Sequence, residues 1–220
     1  MAETKVKEAK EPLFGKKERK LLVDPLLDNN PITVQVLGVC SALAVTSLLM
    51  PSIVMTVAVV FVCAFSNLFT SLLRNIIPNE VRLIAQLIII ATLVTIVELS
   101  LKYFDYPTYK ELSVYIGLII TNCIVMGRLE AFALGHGVWK SFLDGIGNAA
   151  GYGLILIIVA FFRELLGSGK LLGYQVIPDS FYEMGYENNG LMLLSPMALI
   201  TVGILIWVQR SRNRSLIEKN

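Results

Sequence analysis

The run Val81–Leu101 reads VRLIAQLIIIATLVTIVELSL, with one arginine near its start and one glutamate near its end. A helix of about 20 apolar residues crosses the ~30 Å hydrocarbon core of a bilayer. A soluble amphipathic helix shows one apolar stripe, not an apolar surface all round. A second such run, Gly190–Val208, carries no charge at all. The composition follows from these runs. Of 220 residues, 55% are hydrophobic and only 16% charged, and mean hydropathy is +0.67. An ordinary globular domain is roughly 25% charged. The chain has room for about six spans and little else. That excludes a soluble catalytic domain, a nucleotide-binding fold and a nucleic-acid-binding module. A net charge of +2 gives no global steering of a charged partner.

Outward from that run, punctuation marks five more spans. Asn30 reads as an N-cap and Pro31 as the first residue of a span that runs to about Met50, where Pro51 ends it. Ser52–Leu73 follows, closed by Arg74; Val81–Leu101 is the third span, closed by Lys102. After the polar turn Phe104–Pro107 come Leu112–Met126, Gly147–Phe162 and Gly190–Val208. Leu112–Met126 reaches only about 22 Å as a helix, so it reads as a half-helix continued by extended chain inside protein. The expected organisation is a cytoplasmic tail over 1–30, a membrane domain over 31–208 and a cytoplasmic tail over 209–220. The segment Met1–Lys20 is polar, lacks the apolar stretch of a secretory signal, and is expected to be poorly ordered.

Basic residues orient the spans. With the N-terminus inside, inner segments hold fifteen Lys/Arg and outer segments four. The two tails supply most of that excess.

The chain also repeats weakly. Leu72-Leu73-Arg74-Asn75-Ile76-Ile77 resembles Phe161-Phe162-Arg163-Glu164-Leu165-Leu166, and upstream of each lies a cysteine in an apolar stretch, Cys40 or Cys123. Residues 31–102 and 112–208 then read as two copies of three spans. Three is odd, so the second copy enters the membrane inverted. Inverted repeats place their functional site near the midplane, often on discontinuous helices. The expected fold is therefore an all-α membrane protein of six helices in two inverted repeats, the first helix of each a half-helix bearing a cysteine.

A lone membrane cysteine is ordinarily apolar packing, and Cys63 fits that reading. Cys40 and Cys123 differ, because the repeat would set them facing one another. A thiolate there needs a metal to justify its charge. Two thiolates complete neither an iron–sulfur cluster nor a zinc site, each of which takes four ligands. His136, the single histidine, falls in a loop. The missing ligands point to a second protein, a homologue or a copy of this chain. A Cys40–Cys123 disulfide is the other chemical option and ranks lower. Glu98 and Asp144 are candidates for a cation path. Against that, Glu98 pairs at i,i+4 with Lys102, and Asp144 stabilises the start of the fifth helix. Gly145, Gly147, Gly151 and Gly153 read as close helix packing.

The segments Leu27-Asp28-Asn29-Asn30-Pro31, Gln35–Thr46, Gly117–Arg128, Asp144–Asn148, Phe161–Leu165 and Asn189–Leu194 resemble the D subunits of bacterial sodium-translocating NADH:quinone reductases. The likeness runs from about Leu26 to Trp207; only the N-terminal tail departs from it. The E subunits of Rnf electron-transport complexes are the next most similar, and Ser41-Ala42 favours the reductase branch. The resemblance implies that Cys40 and Cys123 are cluster ligands, holding a [2Fe–2S] centre together with two cysteines of a homologous E-type subunit. It implies electron relay between flavin-bearing B and C subunits and a cytoplasmic NADH-oxidising F subunit, with an A subunit completing the complex. It also implies reduction of ubiquinone coupled to outward Na+ transport, in a bacterial inner membrane. This chain would be catalytic only within that complex, would carry no flavin and would contact membrane lipids but no nucleic acid. The competing readings are the equivalent subunit of an Rnf-type ferredoxin:NAD complex, or a small inverted-repeat ion transporter without cofactor.

The charge count predicts both termini on the cytoplasmic side. A cytoplasm-active reporter fused after Asn220 is expected to be active and a periplasm-active one silent; the opposite pattern would invert the whole arrangement.

Overall fold

The computed structural model describes residues 16–27, 29–104, 106–171, 174–175 and 190–212. Helix α1 (Lys16–Leu27) comes first, then a short α2 (Val39–Val45) and a long α3 (Leu49–Leu73). A 3-10 turn at Asn79–Val81 leads into α4 (Arg82–Phe104), followed by α5 (Tyr106–Ile120). Helix α6 (Cys123–Arg128) continues as a π turn over Leu129–Ala133. The longest helix is α7 (Val138–Ser168). A two-residue antiparallel ladder pairs Lys170 with Gln175 and Leu171 with Tyr174. A 3-10 turn at Gly190–Leu193 and α8 (Ser195–Arg212) end the described chain. Among the described residues, four helical stretches are long and apolar enough to cross a membrane: Leu49–Leu73, Arg82–Tyr103, Leu112–Ala133 and Val138–Ser168.

Helices α3 and α7 form an antiparallel central pair. At one end Glu164 meets Leu49, and at the other His136 meets Ser71. Glycine lets them approach backbone to backbone. A Cβ on Gly145 would lie 2.9 Å from the Cys63 carbonyl oxygen and 3.0 Å from Ala64 Cα, and one on Gly153 would collide with Thr56. Half a turn round α7, Gly147 and Gly151 admit α1. A Cβ on Gly147 would meet the Leu21 carbonyl oxygen at 2.6 Å, and one on Gly151 would collide with that of Pro25. The α3–α7 contact, filled by Val59, Val62, Tyr152, Leu156 and Val159, merges with Ile90, Ile119, Ile124 and Leu129 in one buried core. Outside it, α4 turns Leu83, Ile84, Ile88 and Leu99 outward.

Several expected boundaries move. The stretch expected as one span over 31–50 is not one helix: residues 31–38 are turns and irregular chain, and α2 is only seven residues long. Asn30 does not cap a helix. Its Oδ1 accepts from the Ile32 and Thr33 amides to make a turn, and its Nδ2 donates to the Gly151 carbonyl at 2.9 Å. Pro51 does not end a helix either; it lies in the first turn of α3, where its missing N–H costs nothing. The stretch expected to stop at Met126 continues through a break at Thr121–Asn122 to Ala133. The fifth helix starts nine residues early, at Val138 rather than Gly147, so Asp144 lies two turns inside it. The end of the expected tail, Lys16–Leu27, is helical and packed on α7. Met1–Gly15, Asp105 of the polar turn and residues 213–220 of the C-terminal tail lie outside the described residues.

Gly151→Ala should destabilise the protein by about 1–3 kcal/mol, because its methyl meets backbone rather than a movable side chain. Gly203→Ala, in a helix interior with nothing within 4 Å of its Cβ position, should not lower thermal stability and should raise it slightly. Thermal denaturation of the purified protein compares them, and equal melting temperatures would contradict the packing.

Candidate functional site

Two breaks in helical chain meet at one small cavity of about 130 Å³, lined by Gly38, Cys40, Ser41, Ala44, Leu118, Thr121, Asn122 and Cys123. The first break is made by backbone conformation. Val36 and Gly38 both take left-handed φ, 56° and 78°, and they swing the chain into α2. Valine rarely adopts that conformation, being β-branched. Gly38 is required twice over: by its φ, and because a Cβ there would press on the Tyr152 ring at 2.8 Å. Cys40 is the second residue of α2 and is exposed. The second break is at Thr121–Asn122, with Cys123 opening α6, also exposed. Asn122 caps α6, its Oδ1 accepting from the Ile124 amide at 3.3 Å.

A polar bridge sits behind the cysteines. Ser41 Oγ donates to the Gly38 carbonyl at 3.0 Å and lies 2.6 Å from the Tyr152 hydroxyl. Tyr152 is fully buried in α7, so the central helix pins the chain that carries Cys40. The structure thus brings Cys40 and Cys123 to one cavity and leaves the other candidates elsewhere. Cys63 is fully buried in α3. The His136 ring stacks on Phe132 at 4.0 Å. Among the described residues, no three His, Cys, Asp or Glu side chains gather into a group that could hold a metal ion.

Asp144 is engaged by two partners. Arg128 grips it with Nε and Nη2 at 2.9 and 2.5 Å, and Asn148 Nδ2 donates to it at 3.0 Å. Among the described residues, Glu98 accepts one hydrogen bond, from the Tyr109 hydroxyl at 2.9 Å. That bond pushes the Tyr109 phenol above its usual pKa range. Lys102 lies over the Tyr109 ring at 5.9 Å. Glu130 pairs with Arg82 and accepts from Gln86 at 3.3 Å.

Sequence reasoning missed the groups that brace the breaks. Arg163 is fully buried; its Nη1 donates to Thr46 Oγ1 at 2.6 Å, and its other nitrogens hold the carbonyls of Met192, Leu193 and Leu194. Glu164 accepts the Leu49 amide at 2.5 Å, capping α3 from across the fold. Their signal was an Arg-Glu pair directly after an apolar run. At the other end of the central pair, Arg74 donates to the His136 carbonyl at 2.9 Å, just before α7. Each long helix thus sends a terminal arginine to the loop that precedes the other.

Comparison with known proteins fits this architecture. The family model described as "Rnf-Nqr subunit, membrane protein" matches residues 19–206. A protein of Photobacterium profundum is 60% identical over 195 residues, covering 89% of this chain and 93% of its own length. One of Pasteurella multocida is 56% identical over 207 residues, covering 93% and 98%. One of Psychromonas ingrahamii is 54% identical over 200 residues, covering 91% and 95%. All three are named as the D subunit of a Na(+)-translocating NADH-quinone reductase. By family model and by relatives alike, the chain belongs to the Rnf-Nqr family of membrane-protein subunits.

Proposed function

We propose that the chain is the D-type subunit of a Na+-translocating NADH:quinone reductase and that Cys40 and Cys123 supply half the ligands of an intramembrane [2Fe–2S] centre. One observation carries the reading: the two cysteines reach the same cavity from two separate helix breaks, both exposed. The donor set fits half of such a group, since two thiolates leave two ligand positions to a partner. A homologous E-type subunit is the simplest source. When bound, such a centre takes up and passes on one electron at a time. The chain's own residues do the holding. Gly38 and Asn122 set the two breaks, and Ser41 and Tyr152 fix the turn that carries Cys40.

The six-span, inverted-repeat arrangement belongs to the same proposal. The reciprocal arginines support it, because Arg74 reaches the loop before α7 while Arg163 reaches the loop before α3. Under that arrangement α2 with the chain before it, and α8, count as the first and sixth spans. The charge bias supports cytoplasmic termini, and the bacterial relatives support a bacterial inner membrane. The flavin-bearing B and C subunits, the NADH-oxidising F subunit and the A subunit are the remaining proposed partners. Glu98 and Asp144 are our candidates for the cation path. Glu98 is the freer of the two, held by one phenol where Asp144 is held by a guanidinium and an amide.

In the intact complex, Cys40→Ala and Cys123→Ala should each abolish the two-iron EPR signal. NADH-driven quinone reduction should fall by more than about 100-fold, the upper end of what losing even an outer hydrogen-bond partner of a metal site costs. Cys63→Ala should leave both intact. Iron content and quinone reduction that survive the first two changes would overturn the reading. Glu98→Gln is expected to raise the sodium concentration needed for half-maximal turnover. An unchanged sodium dependence removes Glu98 from the path.

A further inference from the structure

Asn122 lines the cavity beside Cys123 and is almost fully buried. Its Oδ1 is committed to the Ile124 amide. That fixes the orientation of the side-chain amide and leaves Nδ2 as the free end. Nδ2 has no hydrogen-bond partner among the described residues. A buried donor left unmade carries its full desolvation cost, so native structures rarely keep one without a reason. The neighbouring hydroxyls do not share this condition. Ser41 Oγ has the Gly38 carbonyl at 3.0 Å and the Tyr152 hydroxyl at 2.6 Å as partners. Ser41 and Tyr152 thus have partners, whereas the buried Asn122 Nδ2 has none among the described residues.

We infer that the Asn122 side-chain amide donates a hydrogen bond to a sulfur of the group held at Cys40 and Cys123, and thereby raises its reduction potential. The inference rests on the proposed function above. One-electron reduction adds a negative charge to the sulfurs and iron. An N–H aimed at sulfur stabilises that reduced state more than the oxidised one. Asn122 is thus a positioning and tuning residue with two separable duties: its oxygen caps α6, and its nitrogen serves the ligand site.

The duties separate by substitution in the intact complex, followed by EPR-monitored redox titration. Asn122→Ser keeps a capping oxygen and loses the amide donor; Asn122→Ala loses both. Both variants should keep iron and signal. Both should lower the midpoint by the equivalent of a tenfold change in the reduction equilibrium, about 59 mV for a one-electron couple. An unshifted midpoint in Asn122→Ser overturns the inference, and a shift in Asn122→Ala alone assigns the effect to the cap. Should either variant lose its iron, the native complex labelled with 15N in asparagine side chains decides. A 15N coupling in the pulsed-EPR spectrum of the reduced centre supports the inference, and no coupling overturns it. A signal that persists in Cys40→Ala and Cys123→Ala would instead mean that the underlying reading has failed.

Discussion

The close antiparallel contact of α3 with α7 is the constraint on which the other features depend. In a bilayer, lipid tails are as apolar as leucine, so burying apolar side chains between helices gains little over leaving them in lipid. What remains is dispersion between closely fitted surfaces and hydrogen bonds between groups lipid cannot satisfy. Gly145 and Gly153 bring the two backbones together on one side of α7, and Gly147 and Gly151 bring α1 in on the other. A helix thinned on two faces becomes the shared wall of the molecule. Tyr152, one residue from Gly151 and one from Gly153, then reaches the turn that carries Cys40.

That wall supports irregular backbone beside the long helices. Interrupted helices expose amides and carbonyls that hydrocarbon cannot solvate, so breaks are tolerated only where protein supplies partners. Each break here has a named set. The chain before α2 leans on the Gly38 carbonyl, Ser41 and Tyr152. The Thr121–Asn122 break is capped by Asn122 itself. The gap between α2 and α3 is closed by Arg163 on Thr46 and Glu164 on Leu49, and the approach to α7 by Arg74 and Ser71 on His136. The irregular chain that exposes two thiols is thus held by contacts from α7 and from its own caps.

Much of this was legible in the residues. Apolar runs with little or no charge marked α3, α4 and α7, which are long and apolar enough to cross a membrane. The glycines of α7 announced close packing, and the two cysteines stood out because the same fragments recur around them. Boundaries were harder, because local signals were ambiguous. Asn30-Pro31 has the chemistry of a helix start, yet Asn30 spends its side chain on a turn and on Gly151, 121 residues away. Pro51 has the chemistry of a stop and serves in the first turn of α3 instead. Tyr152, Arg163 and Glu164 act through partners more than a hundred residues away. At most, a polar residue set in an apolar run warned that something distant must satisfy it.

The long reach of those partners bears on biosynthesis. Thr46 and Leu49 find their donor and acceptor 117 and 115 residues further along. A chain inserted from its N-terminus therefore presents the start of α3 to the membrane before Arg163 and Glu164 have left the ribosome. Until then the gap between α2 and α3 has an amide and a hydroxyl without these partners, so the first half has reason to stay near the insertion machinery. Completion of α7 closes the gap with a charged pair. Arg163 and Glu164, near the C-terminal end of that helix, are thus the groups that close the first break, and a chain truncated before them would lack both.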